Sequence, residues 1–122
     1  MASSIYSITI DSADTRAMAD FWAAALGWQV EHPIDDDSEI AVEPPSGQLP
    51  VLLFVRVPDE KAGKNRLHFD LNPPDQELEV ARLIAMGASP VDIGQGEQSW
   101  VVLADPEGNE FCVLTPRGTD AT

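Results

Sequence analysis

A chain of 122 residues is about one domain long, and folding at that size buries roughly two thirds of the surface that the unfolded chain exposes. Its 21 acidic and 7 basic residues give a formal net charge of −14, which repels phosphate backbones and anionic lipid, so nucleic acid is set aside as a partner. A single cysteine excludes an intrachain disulfide and a Cys-rich zinc knot. No apolar run reaches the roughly 20 residues of a membrane span. The start, MASSIYSITIDSAD, lacks the basic and apolar stretches of a signal peptide, so a soluble cytoplasmic protein with no membrane partner is expected.

The first strand is expected in SITIDSAD, Ser7 to Asp14, where apolar and polar residues alternate. Asp14 then suits the N-cap of a helix over TRAMADFWAAALGW. Met18, Phe21, Trp22, Ala25 and Leu26 recur there at helical spacing, and Gly27 suits a left-handed C-cap. Trp22 and Trp28 are expected to pack the helix on the sheet. Three extended segments follow: WQVEHP, EIAVEP and PVLLFVRV. The connector PDEKAGKNR, Pro58 to Arg66, is too short for a domain linker. Its basic residues Lys61, Lys64 and Arg66 read as a solvated loop that relieves acidic repulsion.

The pattern then repeats. HFDLNPPD, His68 to Asp75, stands 61 positions after SITIDSAD and again ends on a candidate N-cap. The helix QELEVARLIAMGA carries Val80, Ala81, Leu83 and Ile84 as its apolar stripe and Gly87 as its cap. SPVDIG, SWVVLAD and EFCVLTP complete the set, with DPEGNE turning the last hairpin through Pro106 and Gly108. The order is βαβββ twice, module one over about 5–57 and module two over about 66–115. An α+β fold is expected, as a single domain of two tandem modules sharing one core.

A tandem βαβββ pair with FWAAALGW closing the first helix and DPEGNEFCVL near the C-terminus resembles the vicinal oxygen chelate superfamily. That superfamily holds glyoxalase I, bleomycin and fosfomycin resistance proteins and extradiol dioxygenases, and the closest look is to small bacterial glyoxalase-like domains. The resemblance covers Ile5 to Thr115. It implies a curved mixed sheet around a cleft, a small-molecule ligand and a homodimer. In metal-using members His, Gln or Glu from both modules chelate a divalent cation. Carried over by position, the resemblance gives Ser7, an apolar residue near Leu53, His68 and Cys112, the last from its distance of seven residues after Asp105. In that set only His68 is a familiar ligand and Cys112 a possible one, while a serine hydroxyl is a poor donor and Leu53 none, so no metal and no cofactor is expected.

The same resemblance lines the cleft with Ser7, Thr9, Asp11, His68, Asp70, Glu110 and Cys112, with Trp100 as a candidate stacking ring. Strand alternation independently puts Glu110, Cys112 and Leu114 on one face and Phe111 and Val113 on the other, under the helix. Cys112 reads as a small wall residue with an inert thiol. His68 and Asp70 are either ligand anchors or a general base with its orienting partner. The leading expectation is a metal-free small-molecule binding protein of the glyoxalase/bleomycin-resistance type, acting in resistance or sequestration. The alternative is a glyoxalase-like enzyme, either a metal-assisted lyase or isomerase or an acid–base catalyst using His68 and Asp70. Asp11, Asp70 and Glu110 together lead to the expectation of a cationic or aromatic ligand.

Overall fold

A computed structural model describes residues 2–31, 36–92 and 98–117. Its elements run β1 (Ser7–Ser12), α1 (Thr15–Leu26), β2 (Gln29–Glu31), β3 (Glu39–Glu43), β4 (Val51–Arg56), β5 (Asp70–Leu71), α2 (Gln76–Ala85), β6 (Ser89–Pro90), β7 (Val101–Ala104) and β8 (Glu110–Val113). This is the expected α+β pattern of two βαβββ modules. The chain divides into one unit over residues 1–60 and another over 61–122.

In the first unit, β1 pairs parallel with β4, and β3 and β2 add antiparallel strands in the order β1-β4-β3-β2. The crossover helix α1 begins where Asp14 accepts the Ala17 N–H at 3.1 Å, which supplies one of the orphan donors of a helix start. It ends at Gly27, whose φ of 70° is left-handed backbone. Met18, Ala19, Phe21 and Trp22 form its buried stripe, while Ile40, Val42, Leu52 and Phe54 of β3 and β4 are buried too. Because side chains alternate along a strand, this leaves Thr9, Leu53 and Ala41 on the opposite face, where their ladder positions adjoin. Trp22 packs as expected and meets Phe21 edge-on at 5.2 Å between ring centroids. Trp28 is only partly buried.

The second unit repeats the arrangement with the order β5-β8-β7-β6, β5 again parallel to its neighbour. Asp75 caps α2 by accepting from Leu78 N at 3.1 Å. The helix ends one residue before the expected position: Met86 is the C-cap and Gly87, at φ 122°, follows it. Leu83, Leu103, Phe111 and Val113 are buried as the core face. Two strands are shorter than expected. The segment HFDL contributes only Asp70 and Leu71 to β5. Phe69 O still accepts from Cys112 N, but Asn65 N–H upstream turns to the Glu110 carboxylate. SPVDIG contributes only Ser89 and Pro90 to β6, and its last two residues lie outside the described residues, as do the last two of WQVEHP.

The turn DPEGNE is held by a device that strand periodicity does not show. Asp105 is buried, its carboxylate accepts from Glu107 N at 3.0 Å and Asn109 N at 2.9 Å, and Gly108 takes φ 89°. This fixes where β8 begins and therefore which of its side chains face α2.

Candidate functional site

The parallel ladder of the second unit sets Asp70 directly beside Cys112. Paired residues point to the same side of a sheet, and since Phe111 and Val113 fill the helix side, Asp70 and Cys112 share the other face with Val102. His68, just ahead of β5, places Nε2 at 3.3 Å from Asp70 Oδ1. One donor atom each from His68, Asp70 and Cys112 lies within 4.8 Å of the other two. The imidazole and carboxylate are about half exposed, at 47% and 54%, whereas Cys112 is 8% exposed. The result is a reachable polar pair over a sheltered thiol. Burial first, then the charge of Asp70 and a hydrogen bond to it, push the Cys112 thiol up from its ordinary value, with Lys64 opposing. At neutral pH the thiol is therefore protonated, a donor to Asp70 and a poor nucleophile.

Glu110 is beside this group but differently used. Its carboxylate accepts from Asn65 N at 3.0 Å and meets Lys61 Nζ at 3.2 Å, with the two side chains only 13% and 19% exposed. Burial raises its pKa, but the Asn65 and Glu110 backbone N–H groups and Lys61 outweigh that and hold it below the usual range. Glu110 thus keeps the face of β8 expected of it, with its charge already matched by Lys61. The solvated-loop reading of Lys61 is corrected, because Lys61 ties the connector to β8. Lys64 and Arg66 remain exposed and make no ion pair among the described residues. Trp100 is half-buried in a bend before β7.

The remaining candidates belong to the first unit. Ser7, Thr9 and Asp11 alternate along β1, with Thr9 and Asp11 exposed, and their ladder partners on β4 are Val51, Leu53 and Val55. Matching the modules by these ladders sets Ser7 against His68, Thr9 against Asp70, and Leu53 against Cys112. The first unit thus presents two hydroxyls and an alkyl group where the second presents imidazole, carboxylate and thiol. Sequence reasoning missed the Glu31 and Glu43 pair on β2 and β3, where the charge of Glu31 raises the Glu43 pKa. Glu31 is exposed and Glu43 half-buried.

A divalent ion held by both modules needs donors from both. Ser7 is a weak donor and Leu53 none, so the residues present do not fit the four-position chelate that the resemblance implies.

Fold and site together define a small α+β protein of paired βαβββ modules with its polar cluster on one of them. The family model described as "Glyoxalase-like domain" matches residues 7–114, and the chain belongs to that family. No curated protein matches. Among solved structures it is similar to a glyoxalase/bleomycin resistance protein/dioxygenase family enzyme from Burkholderia phytofirmans PsJN, at 21% identity over 94% of this chain and 100% of that one, with TM-score 0.71. A glyoxalase-related enzyme from Fulvimarina pelagi is 19% identical over 99% and 96%, with TM-score 0.67. A mutant of the fosfomycin resistance protein FosX from Listeria monocytogenes, complexed with manganese(II) and a dihydroxypropylphosphonic acid, is 14% identical over 96% and 95%, with TM-score 0.69. At these identities the likeness is one of fold. No helix among the described residues is long and apolar enough to cross a membrane.

Proposed function

We propose that this glyoxalase-like protein binds a small organic ligand directly through His68 and Asp70, without a metal chelated between its modules, in a resistance or sequestration role. The observation that carries the reading is Leu53 at the ladder position matching Cys112. The relatives' names, which include bleomycin and fosfomycin resistance, support small-molecule binding as the kind of task. Asp70, half exposed, offers an acceptor to a cationic or N–H-bearing group, and imidazole offers a second polar contact. With Glu110 matched by Lys61, Asp70 is the acidic group of this face that selects for a cation.

Titration of tryptophan fluorescence with matched cationic, neutral and anionic aromatic compounds, in chelator and at two salt concentrations, tests this. The cationic compound should bind tightest and lose about tenfold in affinity on Asp70→Asn. Tighter binding of the anionic compound, weakened by salt and by Lys64→Ala or Arg66→Ala, would overturn it.

A second reading has one observation in its favour. The 3.3 Å contact between His68 Nε2 and Asp70 is the geometry of a base and its orienting partner. In an enzyme, Asp70 would hold the ring and leave Nδ1 to take a substrate proton. Turnover of a bound compound in chelator, abolished by His68→Gln, would favour it over sequestration.

A further inference from the structure

The connector ahead of β5 is tied to the same face as the His68–Asp70 pair, and it carries a positive charge that no described residue matches. We propose that Lys64 is a specificity-determining contact of this site, so that the ligand is a dipolar small molecule whose cationic group meets Asp70 and whose carboxylate meets Lys64. The inference deepens the ligand-binding reading and rests on it, because the cation still seats on Asp70 and the anionic group is added.

Hydrogen bonds hold the chain on both sides of Lys64. Ahead of it, Gly63 O accepts from Lys61 Nζ, which also reaches Glu110 Oε2 at 3.2 Å. After it, Asn65 N–H donates to Glu110 Oε1 at 3.0 Å, and Asn65 Nδ2 donates to Asn109 Oδ1 at 3.0 Å. Glu110 stands two residues before Cys112 on β8, so alternation sets both on the face that Asp70 shares. Lys64 therefore lies between two tethers to that face. Its side chain is exposed, and its charge is near enough to act on the Cys112 thiol against the push of Asp70.

The charges left open to a ligand are of opposite sign. Lys61 is matched by Glu110, which leaves Asp70, half exposed beside His68, and Lys64, which makes no ion pair among the described residues. A ligand with only a cationic group is drawn to Asp70 and repelled by Lys64. One with only an anionic group meets the reverse conflict, in a chain of net charge −14. A dipolar ligand satisfies both side chains and removes both repulsions. Because ion pairs at exposed side chains are weak, Lys64 adjusts selectivity while the rest of the site supplies most of the affinity.

Calorimetric titration of the full chain in chelator tests this with the meta and para isomers of aminomethylbenzoic acid. Each is set against its own carboxamide, which keeps the amine and removes the negative charge, and the two isomers hold their charges at different separations. At least one acid should bind about two- to fivefold tighter than its amide at low salt. That advantage should vanish in Lys64→Gln and fade as salt screens it. Arg82→Gln, on the helix that covers the other face of the sheet, should keep it, which separates a local contact from a change in net charge. Equal affinity of acid and amide for both isomers would overturn the proposal. So would an advantage that survives in Lys64→Gln, or one that Arg66→Gln abolishes and Lys64→Gln does not. In each of those cases, amide binding that weakens on Asp70→Asn leaves the ligand-binding reading standing. Amide binding indifferent to Asp70→Asn removes that reading, and this inference with it.

Discussion

The two modules share a plan and differ in what they do with it. Each runs strand, Asp-capped helix and three strands, and each buries one sheet face under its helix. On the other face, Ser7, Thr9 and Leu53 stand where the second module has His68, Asp70 and Cys112. Helix-side positions are constrained alike by packing, so both copies remain apolar there. The other faces are not packed under a helix, and among the described residues imidazole, carboxylate and thiol come together on that of the second module.

If the buried faces are equivalent, deleting an aromatic ring from either should cost about the same. Phe54→Ala and Phe111→Ala, at 0% and 1% exposure, should each lower stability by about 3–5 kcal/mol in urea unfolding. A much smaller loss for either would show that its module packs less tightly than its twin.

The Glu110 contacts belong to the second module alone and should be the next largest effect. Glu110→Gln leaves Lys61 partly buried without its counter-charge, and about 1–3 kcal/mol should be lost. A carboxyl whose folded pKa lies below its unfolded value stabilises the fold above the unfolded value of about 4.5 and ceases to do so as pH falls through the folded one. The parent chain should therefore lose stability relative to Glu110→Gln below about pH 4.5. Parallel acid titrations of the two proteins would contradict this.

The helix caps bring the modules back to equality: Asp14→Ala and Asp75→Ala should each cost about 1 kcal/mol. Smallest in stability, but direct in chemistry, is the thiol. In chelator, Cys112 should alkylate slowly near neutral pH and faster as rising pH forms the thiolate. Asp70→Asn should speed the reaction by removing the charge and hydrogen bond that disfavour thiolate. Rapid alkylation of the parent at pH 7 would show an activated thiol.

The repeat, both N-caps and the two faces of β8 were legible because each rests on local rules: a period of 61, Asp before an apolar stripe, alternation along a strand. What periodicity could not show was pairing across distance. The Asp70–Cys112 register fixes which donors meet, and it turned a count of two possible metal ligands into a group of three. Glu110 was placed on the right face, yet its partners Lys61 and Asn65 are 49 and 45 residues away. The connector read as solvated from its composition, because composition does not record what a loop folds against.

The central claim is that the second module alone carries the binding chemistry, and a paired fluorescence titration in chelator tests it most directly. With the cationic aromatic probe, Thr9→Ala in the first module should leave affinity within about twofold of the parent, while Asp70→Asn at the matching position weakens it about tenfold. Equal losses in the two variants, or a loss confined to Thr9→Ala, would contradict the account.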